Sequence, residues 1–139
     1  MKYRIAKPED LEGCTECIKS TGYFLPVDFK DIGGTVLLAE DKDGIQGVVW
    51  ACRSGKLAFA DYLAVTPKYQ GSGLGARLLL KGIKVLKELG VDQIRTTVHY
   101  DNTAVLSMYQ RLAIMDGPYA QVALILRKED HGSEENNHD

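Results

Sequence analysis

Cysteine is scarce in this 139-residue chain, which has only Cys14, Cys17 and Cys52. Three thiols build no disulfide framework, and a single CxxC without a second pair or nearby histidines gives no tetrahedral zinc set. Cys14 and Cys17 fall on a predicted helix and read as ordinary buried or surface thiols. Histidine is as sparse: His131 and His138 lie near the C-terminal end, and His99 reads as a hydrogen-bonding residue at a strand end. No metal site is expected. Long apolar runs are also missing. No stretch approaches the roughly eighteen residues that cross a bilayer, and the opening MKYRIAKPEDLEG lacks the apolar core of a secretory leader. A cytoplasmic protein without membrane contact is the expectation. Charge bias is weak, with a net charge of −2. The last eleven residues, EDHGSEENNHD, hold five acids and neither Lys nor Arg, so removing them leaves +3 on residues 1–128. That excess suits an anionic cofactor but is too small for nucleic acid.

What remains is a chain of ordinary globular composition, 45% hydrophobic and 26% charged, long enough for one core. We expect a single domain over residues 1–128 and an acidic, disordered tail over 129–139. No internal repeat or interdomain linker is visible.

The most informative stretch is QGSGLG, Gln70 to Gly75. Gly71, Gly73 and Gly75 let the backbone curl and bring its N–H groups close to a bulky anion. Leu79, Ile83, Leu86 and Leu89 then repeat at helical spacing, so the turn feeds a helix N-terminus, where partial positive charge favours phosphate. A Walker A loop is excluded, because Gly75 is followed by Ala76 and Arg77 rather than by Lys and Ser or Thr. A dinucleotide fingerprint fits better on letters: Gly71, Gly73 and Ala76 match GxGxxA, and Asp92 lies about twenty residues on. Context opposes it. Residues 66–70 separate the strand from the first glycine, a hairpin comes earlier, and Asp92 precedes the next strand instead of ending it.

The other elements follow from pattern. Residues 3–6 form a first strand. Pro8, Glu9 and Asp10 open a helix carrying Leu11, Cys14, Cys17 and Ile18, which stops near Gly22. Residues 23–34 form a loop or short helix at a substrate entrance. Residues 36–40 and 45–51 flank Asp43-Gly44 as a hairpin. Residues 56–65 make the fourth strand, on which Phe59, Asp61, Leu63 and Val65 share one face by the two-residue period. Gly90 closes the helix after the glycine loop, and residues 93–99 form a fifth strand, parallel to the fourth. Asp101 or Asn102 caps a helix running to about Leu112, and residues 122–126 close the sheet. Gly82 inside the glycine-loop helix costs about 1 kcal/mol relative to Ala, marking either close packing or tolerance.

From Asp61 to Leu112 the chain resembles the GNAT superfamily of N-acetyltransferases, whose pyrophosphate loop reads Gln or Arg, two residues, Gly, one residue, then Gly or Ala. Gln70, Gly73 and Gly75 supply that loop. Leu63, Ala64, Val65 and Pro67 match the family's preceding strand and turn, and Asn102 and Tyr109 stand downstream at the family's spacing. The resemblance implies an α/β (α+β) fold: a mixed, mostly antiparallel sheet of six or seven strands with a parallel fourth strand–helix–fifth strand unit, flanked by about four helices. It departs from the family after Tyr109, where Leu112, Ala113 and Ile114 replace the usual Gly-Phe, and over the short segment 115–118.

The resemblance further implies direct transfer of an acetyl group from acetyl-CoA to a primary amine within a ternary complex, with no metal. Gln70, Gly71, Ser72, Gly73, Leu74, Gly75 and Ala76 would hold the cofactor's diphosphate. Main-chain groups of Leu63, Ala64 and Val65 would meet the pantetheine and thioester, with Asn102 a further cofactor contact or a helix cap. Tyr109 would protonate the departing thiolate. A phenol of pKa near 10 is protonated at neutral pH, and proton transfer to a thiolate of conjugate-acid pKa about 8.5 is not steeply uphill. The amine, with a lysine-like pKa of about 10.4, must lose a proton before attack. Asp61 or water serves as the base; many relatives carry theirs two positions earlier, where this chain has Phe59. The acceptor is a small-molecule amine or a protein amine, which Asp28, Asp31 and Asp61 would suit if cationic. Monomer or homodimer is left open. The alternatives are a non-catalytic acyl-CoA-binding or partner-binding module and a dinucleotide-dependent enzyme.

Overall fold

A computed structural model describes residues 1–22, 29–96 and 103–111 of the chain. It divides into two compact units, Met1–Ile94 and Arg95–Asp139. The strands of the sheet follow chain order: β1 (Lys2–Ile5), β2 (Thr35–Asp41), β3 (Gly44–Ser54), β4 (Leu57–Val65) and β5 (Gln93–Arg95). The first three pairings are antiparallel, and β5 runs parallel to β4. This is the mixed, mostly antiparallel sheet expected. The strand predicted over 122–126 and the far part of that predicted over 93–99 lie outside the described residues, as does the acidic tail.

Alternating apolar residues on the central strands require cover on both faces. On one face lies α1 (Leu11–Lys19), preceded by a 3-10 turn at Pro8–Asp10. Its Cys14, Cys17 and Ile18 pack with Phe29, Val36, Leu38, Val48 and Ala64. The other face is covered by α2 (Leu74–Glu88), whose Leu74 and Leu78 meet Ala39 and Val49, while Leu86 meets Ala58 and Val91. The residues of α2 turned inward are Leu74, Leu78, Leu79 and Leu86. Leu89, expected on that buried face, lies just past the last helical residue and is 54% exposed.

Two local corrections matter for the site. The hairpin turn is Lys42–Asp43, with Asp41 paired to Gly44; Gly44 opens β3 at φ 125°. The second correction concerns β4. Its register on β3 passes from Trp50↔Asp61 to Val48↔Ala64, so Tyr62 and Leu63 together oppose Val49. Tyr62 sits in this bulge at φ 56°, a left-handed conformation that non-glycine residues seldom adopt. The bulge inverts the alternation: Leu63 and Val65 pack on the α2 side with Val49 and Leu78, while Tyr62 and Ala64 pack on the α1 side. Asp61, opposite Trp50, also takes the α1 side. Phe59 and Asp61 therefore do not share a face with Leu63 and Val65, because the two-residue period restarts at Tyr62.

Near the sheet edge, Arg4 joins β1 to the turn before α1 and to β2. Its guanidinium donates to Asp10 at 2.7 and 3.0 Å and to Glu40 at 2.8 and 3.1 Å. Arg4 holds the Asp10 carboxyl well below the usual carboxylate range and pulls Glu40 down as well.

Candidate functional site

The path from β4 into α2 is a succession of tight turns. Pro67 opens a 3-10 turn over Pro67–Tyr69, where its missing N–H is no loss. The Tyr69 N–H donates to the Thr66 carbonyl at 2.9 Å, and the Gln70 and Ser72 N–H groups donate back to Pro67 and Tyr69 at 3.3 and 3.2 Å. Gly71 and Gly73 then take φ of 80° and 85°. At Gly71 an added Cβ would meet nothing within 4 Å, so its need for glycine is conformational; at Gly73 it would also come within 3.3 Å of the Arg77 Nη1.

Gly73 is the residue before α2, and it has no side chain with which to cap the helix. Ser72 takes over part of that role by accepting from the Leu74 N–H at 3.3 Å, and the first backbone bond of the helix, Arg77 N–H to Gly73 carbonyl, is 3.1 Å. Among the described residues, the N–H groups of Gly71, Gly73, Gly75 and Ala76 have no acceptor. Orphan amides at a helix N-terminus, reached by a backbone free of Cβ atoms at two points, make an anion cradle. The residues present therefore fit a diphosphate.

Gln70 has a different job from its neighbours. Its Nε2 donates to the Val65 carbonyl at 3.1 Å, tying the loop back to the end of β4. Leu63, Ala64 and Val65 lead into that tie. Ala64 is buried, and the strand beside it is paired to β3 through Gly47↔Val65 and Val48↔Ala64. Residues 97–100, which include the far part of the predicted fifth strand, lie outside the described residues.

Asp61 occupies the α1 side of β4, next to an aromatic group. Tyr62 meets Phe29 edge-on at 5.7 Å and Trp50 at 5.8 Å between ring centroids. The Tyr62 N–H donates to Asp61 Oδ1 at 2.8 Å, an arrangement that the bulge makes available. Burial and the Asp61 charge raise the Tyr62 phenol, so it stays protonated at neutral pH. Phe59, two residues before Asp61, is 45% exposed. Asp28, Asn102 and His99 lie outside the described residues. Tyr109 is a half-buried residue of α3 (Thr103–Arg111) in the second unit.

Cys14 and Cys17 are buried, and burial pushes their thiols up to about 12 and about 11. They pack as small apolar side chains. Residues that pattern reading overlooked stand under the loop. Asp41, at the end of β2, accepts from the Tyr69 hydroxyl, and Gln46 Oε1 accepts from the Thr66 hydroxyl at 2.7 Å. The available signal was Asp41 itself, placed two residues before the Asp43 N–H that it accepts at 2.8 Å, a self-capping turn.

Comparison with known proteins gives a consistent picture. Residues 5–114 match the acetyltransferase (GNAT) family. Over 83 residues, 59% of this chain, the sequence is 39% identical to a mycothiol acetyltransferase of Clavibacter sepedonicus, of which it covers 27%. The chain thus spans about a quarter of the length of the mycothiol acetyltransferases it matches. Among solved structures, diaminobutyrate acetyltransferase from Paenibacillus lautus, in complex with L-2,4-diaminobutyric acid and coenzyme A, superposes with a TM-score of 0.69 at 25% identity. The match covers 81% of this chain and 74% of that one. The ribosomal-protein-S18-alanine N-acetyltransferase of Escherichia coli shares the fold, with a TM-score of 0.68 at 19% identity over 84% of this chain and 80% of its own.

Proposed function

The chain belongs to the acetyltransferase (GNAT) family, and from that premise we propose that it moves the acetyl group of acetyl-CoA directly to a primary amine. The observation that carries this reading is the row of amides at Gly71, Gly73, Gly75 and Ala76 that have no acceptor among the described residues, at a turn where Gly71 and Gly73 take left-handed φ. Acetyl-CoA would supply an activated thioester. The amides would hold its diphosphate, with Ser72 and Leu74 completing the turn and Gln70 pinning it to Val65. Main-chain groups of Leu63, Ala64 and Val65 would position the pantetheine arm and the reacting carbonyl, where N–H donors stabilise developing negative charge.

Tyr109 would give its phenolic proton to the leaving thiolate, and Asn102 would contact the cofactor or cap its helix. Asp61, or a water molecule, would take the proton of the attacking amine. Placed on the α1 side of β4 beside Tyr62, Trp50 and Phe29, Asp61 would face an acceptor on the side away from α2. A small-molecule amine is the acceptor class we favour, since the diaminobutyrate enzyme that shares this fold is named for such a substrate. A cytoplasmic setting is consistent with that cofactor; among the described residues no helix is long and apolar enough to cross a membrane.

Release of free thiol from acetyl-CoA over a panel of small primary amines tests the reading. Turnover is expected with at least one amine, and Tyr109→Phe is expected to lower kcat about a hundredfold, the scale of lost acid catalysis, while CoA binding persists. Tight CoA binding without turnover on any amine would favour a non-catalytic acyl-CoA-binding module instead.

A further inference from the structure

Direct phosphate contacts explain the glycines of the loop, but not the polar side chains beneath it. The Asp41 carboxylate accepts from the Tyr69 hydroxyl with Oδ2, and from Gln46 Nε2 at 3.1 Å and the Asp43 N–H at 2.8 Å with Oδ1. Gln46 presents its Oε1 to the Thr66 hydroxyl at 2.7 Å and its carbonyl to the Thr66 N–H at 3.0 Å. Lys68 Nζ reaches Asp43 Oδ2 at 3.2 Å. Four hydrogen bonds, two from Thr66 and one each from Lys68 and Tyr69, thus run from the segment that delivers the glycine loop to the β2–β3 hairpin around its turn. Among the described residues nothing else polar holds that segment from below.

We propose that the β2–β3 turn is a clamp for the diphosphate loop, with Asp41 and Tyr69 as its positioning residues. The proposal rests on the reading of residues 70–76 as the diphosphate site. Backbone amides bind an oxyanion well only when they already point at one place, because ordering a loop during binding subtracts from affinity. Tyr69 is the last residue of the 3-10 turn, and its carbonyl accepts from both the Ser72 N–H and the Ser72 hydroxyl. Fixing Tyr69 by its hydroxyl therefore fixes Ser72, and Ser72 in turn accepts from the Leu74 N–H at the start of α2. The ring itself packs against the Leu74 and Leu78 cluster, so only the direction of the hydroxyl end depends on Asp41. Because Asp41 carries its charge down to about pH 2, the clamp is closed throughout the working range of an enzyme.

Tyr69→Phe removes the bond and keeps the ring. Calorimetry with CoA, hydrogen exchange of the ligand-free amides 70–76, and kinetics with acetyl-CoA and with acetyl-pantetheine, which lacks the diphosphate, form the test. Expected are an approximately tenfold weaker Kd for CoA, the scale of one lost charge-assisted bond, and faster exchange at 70–76. The kcat at saturating acetyl-CoA, and both constants for acetyl-pantetheine, should be unchanged. Asp41→Asn, which keeps a carbonyl acceptor, should fall between wild type and Tyr69→Phe; it carries the same comparison if Tyr69→Phe fails to fold. Unaltered CoA affinity in both variants would overturn the clamp and leave the proposed function standing. Equal weakening toward CoA and acetyl-pantetheine would overturn it as well, as general structural damage. Failure of the wild type to bind CoA would overturn both readings together.

Discussion

Asp41 shows how one side chain couples the sheet to the loop and makes that coupling sensitive to acid. Its carboxyl is pulled down to about 2, first by the Tyr69 hydroxyl and then, against the cost of desolvation, by the Asp43 N–H, the Gln46 amide and the Lys68 charge. The folded value lies below the unfolded value of about 4, so the ionised carboxylate stabilises the fold in full above about pH 4. That contribution fades as pH falls through about 2. Denaturant melts of wild type and Asp41→Asn should differ by a constant amount from pH 7 down to about pH 5, with the gap closing toward pH 2. A gap of the same size at pH 2 would show that the carboxylate charge contributes nothing. The sequence could not reveal this bond, because Asp41 and Tyr69 are 28 residues apart and each reads as an ordinary turn residue. Gly71 and Gly73 were legible for the opposite reason: a left-handed backbone leaves glycine as its mark in the sequence.

Helix α2 answers a question that its sequence left open. Gly82 faces the sheet on the line of Leu74, Leu78 and Leu86, and an added Cβ would lie 3.6 Å from Val49 Cγ1 and 3.9 Å from Leu37 Cδ2. Those are ordinary contacts, so the glycine is tolerated, not required. Gly82→Ala should stabilise the fold by about 1 kcal/mol through helix propensity, raising the denaturant midpoint with an unchanged slope. A lower midpoint would mean that the helix needs the closer approach. Strand β4 gave the opposite lesson. A two-residue period runs unbroken through Phe59, Asp61, Leu63 and Val65 in the sequence, yet Tyr62 restarts it with φ 56°. Neither glycine nor asparagine marks that bulge, so pattern alone placed Asp61 on the wrong face. The hairpin was legible from Asp43-Gly44, but the paired residues Asp41 and Gly44 shift its turn to Lys42–Asp43.

Across the molecule, what was legible was whatever repeats locally: strand order, the two covering helices, and a glycine loop feeding a helix. Contacts between distant segments were not, and they include the hairpin turn under the loop and the aromatic group of Phe29, Trp50 and Tyr62 beside Asp61. The buried thiols of α1 illustrate the same division. CxxC spacing left open whether these thiols are buried or on the surface, whereas packing among Ile18, Leu38 and Val48 makes Cys14 and Cys17 part of the core. Family membership then joins the local pieces, and under the function proposed above the amide cradle would hold the nucleotide end of acetyl-CoA while strand β4 would present its thioester to an amine. Titration of 15N-labelled protein with CoA, and separately with NAD, tests that account most directly. Saturable shifts of the Gly71, Gly73, Gly75 and Ala76 amides with CoA and not with NAD are the expected result; silent amides in this loop, or the same shifts with NAD alone, would contradict it.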